Sequence, residues 1–135
     1  MAKLICDIVT PAAKLYSDEA YMVVVPGVEG EMGFLHGHVP LVSALADGVV
    51  RIQSDREADK QRFALQGGYV EVTGDKVIIL ADRALPVSDI DAAAARAKLS
   101  ELEAQLAALS EEEARRTPIS SDIAWCKVQI AAVEA

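Results

Sequence analysis

Leu65-Gln66-Gly67-Gly68-Tyr69-Val70-Glu71-Val72-Thr73-Gly74-Asp75-Lys76-Val77-Ile78-Ile79-Leu80 is the stretch whose reading decides the fold. Two short runs rich in β-branched residues, 69–73 and 76–80, flank Gly74-Asp75. That pair predicts a two-residue hairpin turn with positive φ. Alternation aims Val70 and Val72 at a core and Glu71 and Thr73 at water. Upstream, Phe63 and Leu65 alternate with Arg62 and Gln66, after a charged loop over 54–60. Asp47-Gly48 marks a turn before Val49-Val50-Arg51-Ile52. Residues 21–25 form a short run stopped by Pro26-Gly27. Leu4, Cys6 and Ile8 alternate with Lys3, Asp7 and Val9. Many short strands with evenly spaced turns predict a sandwich or barrel.

Past Pro86 the valine and glycine give way to alanine. Ser88-Asp89-Ile90-Asp91 fits a helix-capping pattern with Pro86 just upstream. Leu99, Leu102, Leu106 and Leu109 fall on one seam of a first helix. Glu111-Glu112-Glu113 and Arg115-Arg116 read as the solvated end of that helix. Thr117-Pro118 interrupts it. Ser120 or Ser121 can cap a second helix over 122–135, with Ile123, Cys126, Ile130 and Val133 as its seam. Two matched seams joined by a short turn predict an antiparallel helical hairpin. The expected organisation is a β domain over 1–86 and a helix-turn-helix domain over 87–135.

The 135 residues are 52% hydrophobic and 25% charged, an ordinary globular composition. The net charge of −8 argues against nucleic acid as the main partner, since phosphate binding needs a basic face. Residues 1–86 carry 8 basic and 12 acidic side chains, and residues 87–135 carry 5 and 9, a net −4 in each part. No apolar run approaches the ~20 residues of a membrane helix. The first ten residues do not read as a signal peptide. Cys6 and Cys126, at opposite ends of the chain, read as reduced buried thiols.

Gly27, Gly30 and Gly33 do not make a phosphate loop, because no Gly-Lys-Ser/Thr and no helix pattern follows. They read as a glycine-rich turn between strands. His36 and His38 lack the further ligands a metal site needs, and read as loop histidines, one of them partly buried. No hydroxyl has nucleophile context, and no carboxylate pair stands out as acid and base.

Two segments carry a family resemblance. One runs Val25-Pro26-Gly27-Val28-Glu29-Gly30-Glu31-Met32-Gly33-Phe34-Leu35-His36-Gly37-His38-Val39-Pro40-Leu41; the other is 65–82, ending Leu80-Ala81-Asp82. With the N-terminal strand and the alanine-rich hairpin, they resemble the epsilon subunit of the bacterial F-type ATP synthase, in order along the whole chain. The resemblance implies a ten-stranded β-sandwich followed by a helix–turn–helix. It implies a non-catalytic rotor part of the central stalk, which grips gamma and rests on the c-subunit ring. The hairpin of that family folds down or rises toward the catalytic head, where it meets the beta subunit and restrains ATP hydrolysis. Such a subunit lies on the cytoplasmic face of the cell inner membrane, peripheral to a proton-translocating complex, without entering the bilayer.

Residue by residue, Glu31 matches the acidic position that faces the c ring, and His38 the histidine near the gamma contact. His36 departs from the proline more usual there. No cofactor is implied, but in several bacteria the folded-down hairpin binds ATP as a regulatory ligand through Ile/Leu-Asp-x-x-Arg-Ala. Here Ile90 and Asp91 match, Ala94 stands at the arginine position, and Arg96 comes two residues late, about 200° around a helix. The competing reading is a free-standing β-sandwich that binds a small ligand, with an oligomerising helical tail.

Overall fold

The computed structural model describes residues 2–58 and 60–135. Ten strands form two five-stranded sheets: β1 (Leu4–Val9), β2 (Lys14–Ala20), β3 (Met22–Gly27), β4 (Gly30–Phe34), β5 (Leu41–Ala44), β6 (Gly48–Gln53), β7 (Lys60–Gln66), β8 (Tyr69–Val72), β9 (Lys76–Leu80) and β10 (Arg83–Pro86). The first sheet has the order β2-β1-β9-β8-β5, the second β10-β7-β6-β3-β4. All pairings are antiparallel except β1 with β9. The chain divides into two compact units, Met1–Ser88 and Asp89–Ala135.

The alternation read from the sequence builds the sandwich core. Leu4, Cys6 and Ile8 from β1, Val70 and Val72 from β8, and Val77 and Ile79 from β9 are buried. They meet Val23, Val25, Val50, Ile52, Phe63 and Leu65 from the second sheet. Tyr16 packs its ring edge-on to Phe63 at 5.4 Å and closes one flank.

The chain switches sheets between β7 and β8 at Gly67-Gly68, where φ is +59° and +105°. A Cβ at Gly68 would strike the Leu80 carbonyl oxygen and lie 2.8 Å from Ala81 Cα. The corner is tied by Leu45 N–H donating to Gly68 O (2.9 Å), Asp82 N–H to Gln66 O (3.1 Å) and Gly67 N–H to Asp47 Oδ1 (2.9 Å). Three sheet crossings, after β5, β7 and β9, therefore share one end of the sandwich.

Several expectations are corrected. Gly74 does not hold positive φ; among the described residues Gly30, Gly37, Gly67 and Gly68 do. Gly33 does not need it either, and a Cβ there would meet Val24 at an ordinary 3.8 Å. The glycine-rich stretch 27–33 is not one long turn. Its turn is short, around Val28-Glu29, and Gly30 already opens β4, which pairs with β3 from Phe34 to Gly30. Backbone pairing makes that strand, and its side chains carry no alternation to betray it.

The helical unit has three helices, α1 (Ala92–Ala107), α2 (Glu111–Arg115) and α3 (Ile119–Glu134). Residues 87–89 form a single 3-10 turn, and α1 is capped by Asp91, whose carboxylate accepts from Ala94 N at 3.0 Å. The first helix does not run on through Arg116. Ser110 starts a new one with a reciprocal capping box: Ser110 Oγ accepts from Glu113 N (3.1 Å), and Glu113 Oε1 accepts from Ser110 N (3.0 Å). These bonds hold the Glu113 carboxyl below the usual range. α3 starts at Ile119, earlier than either serine, with no side-chain cap.

The hairpin core is Leu102, Ile119, Ile123 and Cys126, flanked by Leu99, Leu106, Leu109 and Ala114. Ile130 is half-buried. Val133 is 39% exposed, and Ala132 is buried in its place. Cys6 and Cys126 are both buried, and neither is in a disulfide.

The Gly68 corner makes a checkable contrast. Gly68→Ala should cost more than about 2 kcal/mol, from strain plus the backbone clash. Gly33→Ala should change stability by less than about 1 kcal/mol. Urea unfolding of the two variants decides it; equal losses would remove the corner from its central place.

Candidate functional site

The register of the first sheet sets out its outer face. Val9 stands beside Leu80, Leu80 beside Tyr69, and Tyr69 beside Ala44, one row across four strands. The next row is Asp7, Ile78, Glu71 and Val42. Leu80 is 47% exposed, Tyr69 59% and Val42 70%. A solvated sheet face is normally polar. β9 is instead apolar on both faces through Ile78, Ile79 and Leu80, and Leu80, Tyr69 and Val42 make an exposed apolar band with Glu71 set within it. Bands of this kind mark protein-interaction surfaces. Beside the band an open groove of about 620 Å³ is lined by Val9, Pro11, Leu45, Tyr69, Leu80 and Asp82.

Asp7 sits within this face, 5% exposed. Its Oδ1 accepts from the Ser17 hydroxyl at 2.6 Å, and its Oδ2 lies 3.4 Å from Lys76 Nζ and 3.8 Å from Lys14 Nζ. The Ser17 hydrogen bond, aided by both lysines against the cost of burial, holds this carboxyl below its usual range. Its inward neighbour Cys6 is pushed up to about 12, first by burial and then by the Asp7 charge. That thiol stays protonated and inert.

Glu31 is the second residue of β4, opposite Pro26 and exposed. It is not a lone turn carboxylate. Arg51 Nη1 lies 3.2 Å from Oε2, and Nη2 donates to Oε1 at 3.2 Å, a two-pronged grip. His38 lies beyond the other end of β4, half-buried, its ring edge-on to the core Phe34 with centroids 4.9 Å apart. Its loop is pinned by Gly37 N–H to Gly74 O at 2.5 Å. The length of β4 thus separates Glu31 from His38. Asp91 and Arg96 are not brought together. Asp91 caps α1, and Arg96 Nη2 donates to Glu134 Oε1 at 2.9 Å, joining the start of α1 to the end of α3. Among the described residues no group of three or more His, Cys, Asp or Glu side chains could hold a metal. Among the same residues, no helix is long and apolar enough to cross a membrane.

Residues 3–87 match the family model for the ATP synthase, Delta/Epsilon chain, beta-sandwich domain. The chain is 40% identical over 116 residues to the ATP synthase epsilon chain of Myxococcus xanthus, covering 85% of this chain and 83% of that one. It is 42% identical over 107 residues to the epsilon chain of Brevibacillus brevis, covering 78% and 80%. The chain belongs to the ATP synthase epsilon-chain family. Its fold also superposes on a chain in the mitochondrial ATP synthase of Euglena gracilis, with TM-score 0.75 and 23% identity, over 99% of this chain and 82% of that one. Epsilon chains are non-catalytic subunits of the rotary complex. The absence of an acid–base or nucleophilic constellation in the sequence reading fits that membership.

Within the epsilon family frame, Asp7, Arg51 and the apolar band are the features sequence reasoning missed. The signal for the band was present: Ile78 and Leu80 continue the apolar run of β9 on its outward positions. Nothing local signals Asp7 with Ser17 and Lys76, or Arg51 with Glu31, because register alone brings them together.

The buried carboxylate gives a signed pH prediction. Asp7 titrates lower in the fold than the ~3.9 of an unfolded aspartate. Its contribution is therefore complete above about pH 4 and lost as pH falls through the depressed folded value. Asp7→Asn should cost about 1–3 kcal/mol at pH 7, since Lys14 and Lys76 lose their partner. The difference from wild type should shrink below about pH 4. Urea midpoints from pH 2.5 to 7 measure this; a gap that stays constant through that range contradicts the assignment.

Proposed function

We propose that this chain is a rotor and coupling subunit of the central stalk of a proton-translocating ATP synthase, with a sandwich that docks and a hairpin that regulates. The observation that carries the reading is the exposed apolar band on the first sheet, Leu80, Tyr69 and Val42. A band of that kind fits the flank of a larger stalk subunit, gamma, with His38 at its far end. Glu31 then meets the c ring from the opposite end of β4. The Euglena gracilis assembly includes its c-ring, and a chain of similar fold in the Tetrahymena thermophila mitochondrial ATP synthase (TM-score 0.54, 14% identity, over 64% of this chain and 69% of that one) belongs to a structure of the central stalk and c-ring, which agrees with this setting. The subunit works peripherally at the cytoplasmic face of the inner membrane.

The hairpin, residues 87–135, moves between a lowered and a raised state, and the raised state reaches the beta subunit. Its core includes buried Leu102, Ile119 and Ile123, worth about 1.5–3 kcal/mol each, so two packings can lie close in energy. Inhibition is weak, because the hairpin carries net negative charge. Millimolar ATP has no effect, because Ala94 replaces the family arginine and Arg96 is engaged with Glu134. The family membership argues against the free-standing ligand-binding alternative.

The test is binding of the full chain to purified gamma subunit. Tyr69→Lys with Leu80→Lys should weaken it at least about 100-fold, as loss of a hot-spot pair does, at unchanged melting temperature. Wild-type affinity in that variant overturns the docking face. In the assembled enzyme, removing residues 87–135 should raise ATP hydrolysis by less than about fivefold, a coupling near 1 kcal/mol. A larger rise, or protection of the hairpin from proteolysis by ATP, contradicts the regulatory half.

A further inference from the structure

We propose that Arg51 is the positioning residue for Glu31, an inference that rests on the reading that Glu31 meets the c ring. Arg51 belongs to β6 and Glu31 to β4, with β3 between them. In register, Val24 of β3 faces Arg51 on one side and Gly33 on the other. Glu31 is two residues from Gly33 and shares its face of the sheet. Arg51 and Glu31 therefore share one face of the sheet, and the guanidinium crosses β3 diagonally to reach the carboxylate.

Both oxygens of Glu31 are held, at 3.2 Å each. The side chain of Arg51 is 34% exposed and that of Glu31 is 56% exposed. Arg51 Nε is buried, with no hydrogen-bond partner among the described residues. A guanidinium turned to suit its own surroundings would satisfy that donor. The orientation seen here serves the two Nη groups and their grip on the carboxylate.

Two consequences follow for the contact. A glutamate near a strand end samples several rotamers, and ordering it on docking weakens binding. The fork from Arg51 fixes the side chain beforehand. It also neutralises it, so the partner meets an ion pair rather than a bare anion. The pair spans β4, β3 and β6, which ties the aim of Glu31 to the frame of the second sheet.

Two measurements on four variants test this: Glu31→Gln, Arg51→Gln, the double variant and Arg51→Lys. In the assembled enzyme the readout is proton transport per ATP hydrolysed. In the isolated chain it is the NMR splitting of the Glu31 γ-methylene protons, which a fixed rotamer keeps apart. Arg51→Gln should collapse the splitting and lower coupling as far as Glu31→Gln does. The double variant should fall no further, and Arg51→Lys should recover part of the loss. An unchanged splitting in Arg51→Gln overturns the proposal. So does a coupling loss from Arg51→Gln that persists in the Glu31→Gln background. Full coupling in Glu31→Gln removes the ring contact itself; a collapsed splitting alongside it would reduce Arg51 to a structural clamp, and the proposal fails with the contact.

Discussion

The sandwich depends on a place where no side chain fits. At Gly68 the chain leaves the second sheet for the first and passes against the backbone of Leu80 and Ala81. Any Cβ would force the strands apart. The crossings after β5 and β9 lie at the same corner and are tied to it by Leu45 N–H and Asp82 N–H. The register of β8 against β9 follows from that corner. Through it follow the rows of the first sheet: Val70 and Val72 inward, Tyr69 and Glu71 outward. The apolar band is thus a consequence of where the glycines let the chain cross.

The same register explains why a carboxylate can be buried on a sheet face. Asp7 is opposite Ser17 on β2 and beside Ile78 on β9, with Lys76 two residue pairs away along the ladder on the same face. Its charge is answered by a hydroxyl and two ammonium groups, so burial costs little. The arrangement puts a fixed polar patch beside apolar Ile78. An interface with an apolar centre and a few placed polar groups has this composition.

Much of this was legible in the sequence. The alternation of Leu4, Cys6 and Ile8, the hairpin around Gly74, and the seam of Leu99, Leu102 and Leu106 are local patterns, and each appears where expected. β4 escaped because its residues Gly30, Glu31, Met32 and Gly33 show no alternation, and its pairing partner supplies the reason for the strand. β2 escaped because Lys14 to Ala20 lies at a sheet edge and is mostly polar. The break before α2 was readable in Ser110-Glu111-Glu112-Glu113, a capping box hidden inside what looked like a charged helix end. At Glu31 the residue was singled out but its environment was not. The arginine twenty positions away is brought to it only by the order β6-β3-β4.

The central claim is that the outer face of the first sheet is the docking face of this epsilon chain. Hydroxyl-radical footprinting of the chain, free and within the assembled ATP synthase, tests it most directly. The account predicts strong protection of Val42, Tyr69 and Leu80 on assembly, with the charged loop after β6 unchanged. Equal labelling of those three side chains in both states would contradict it.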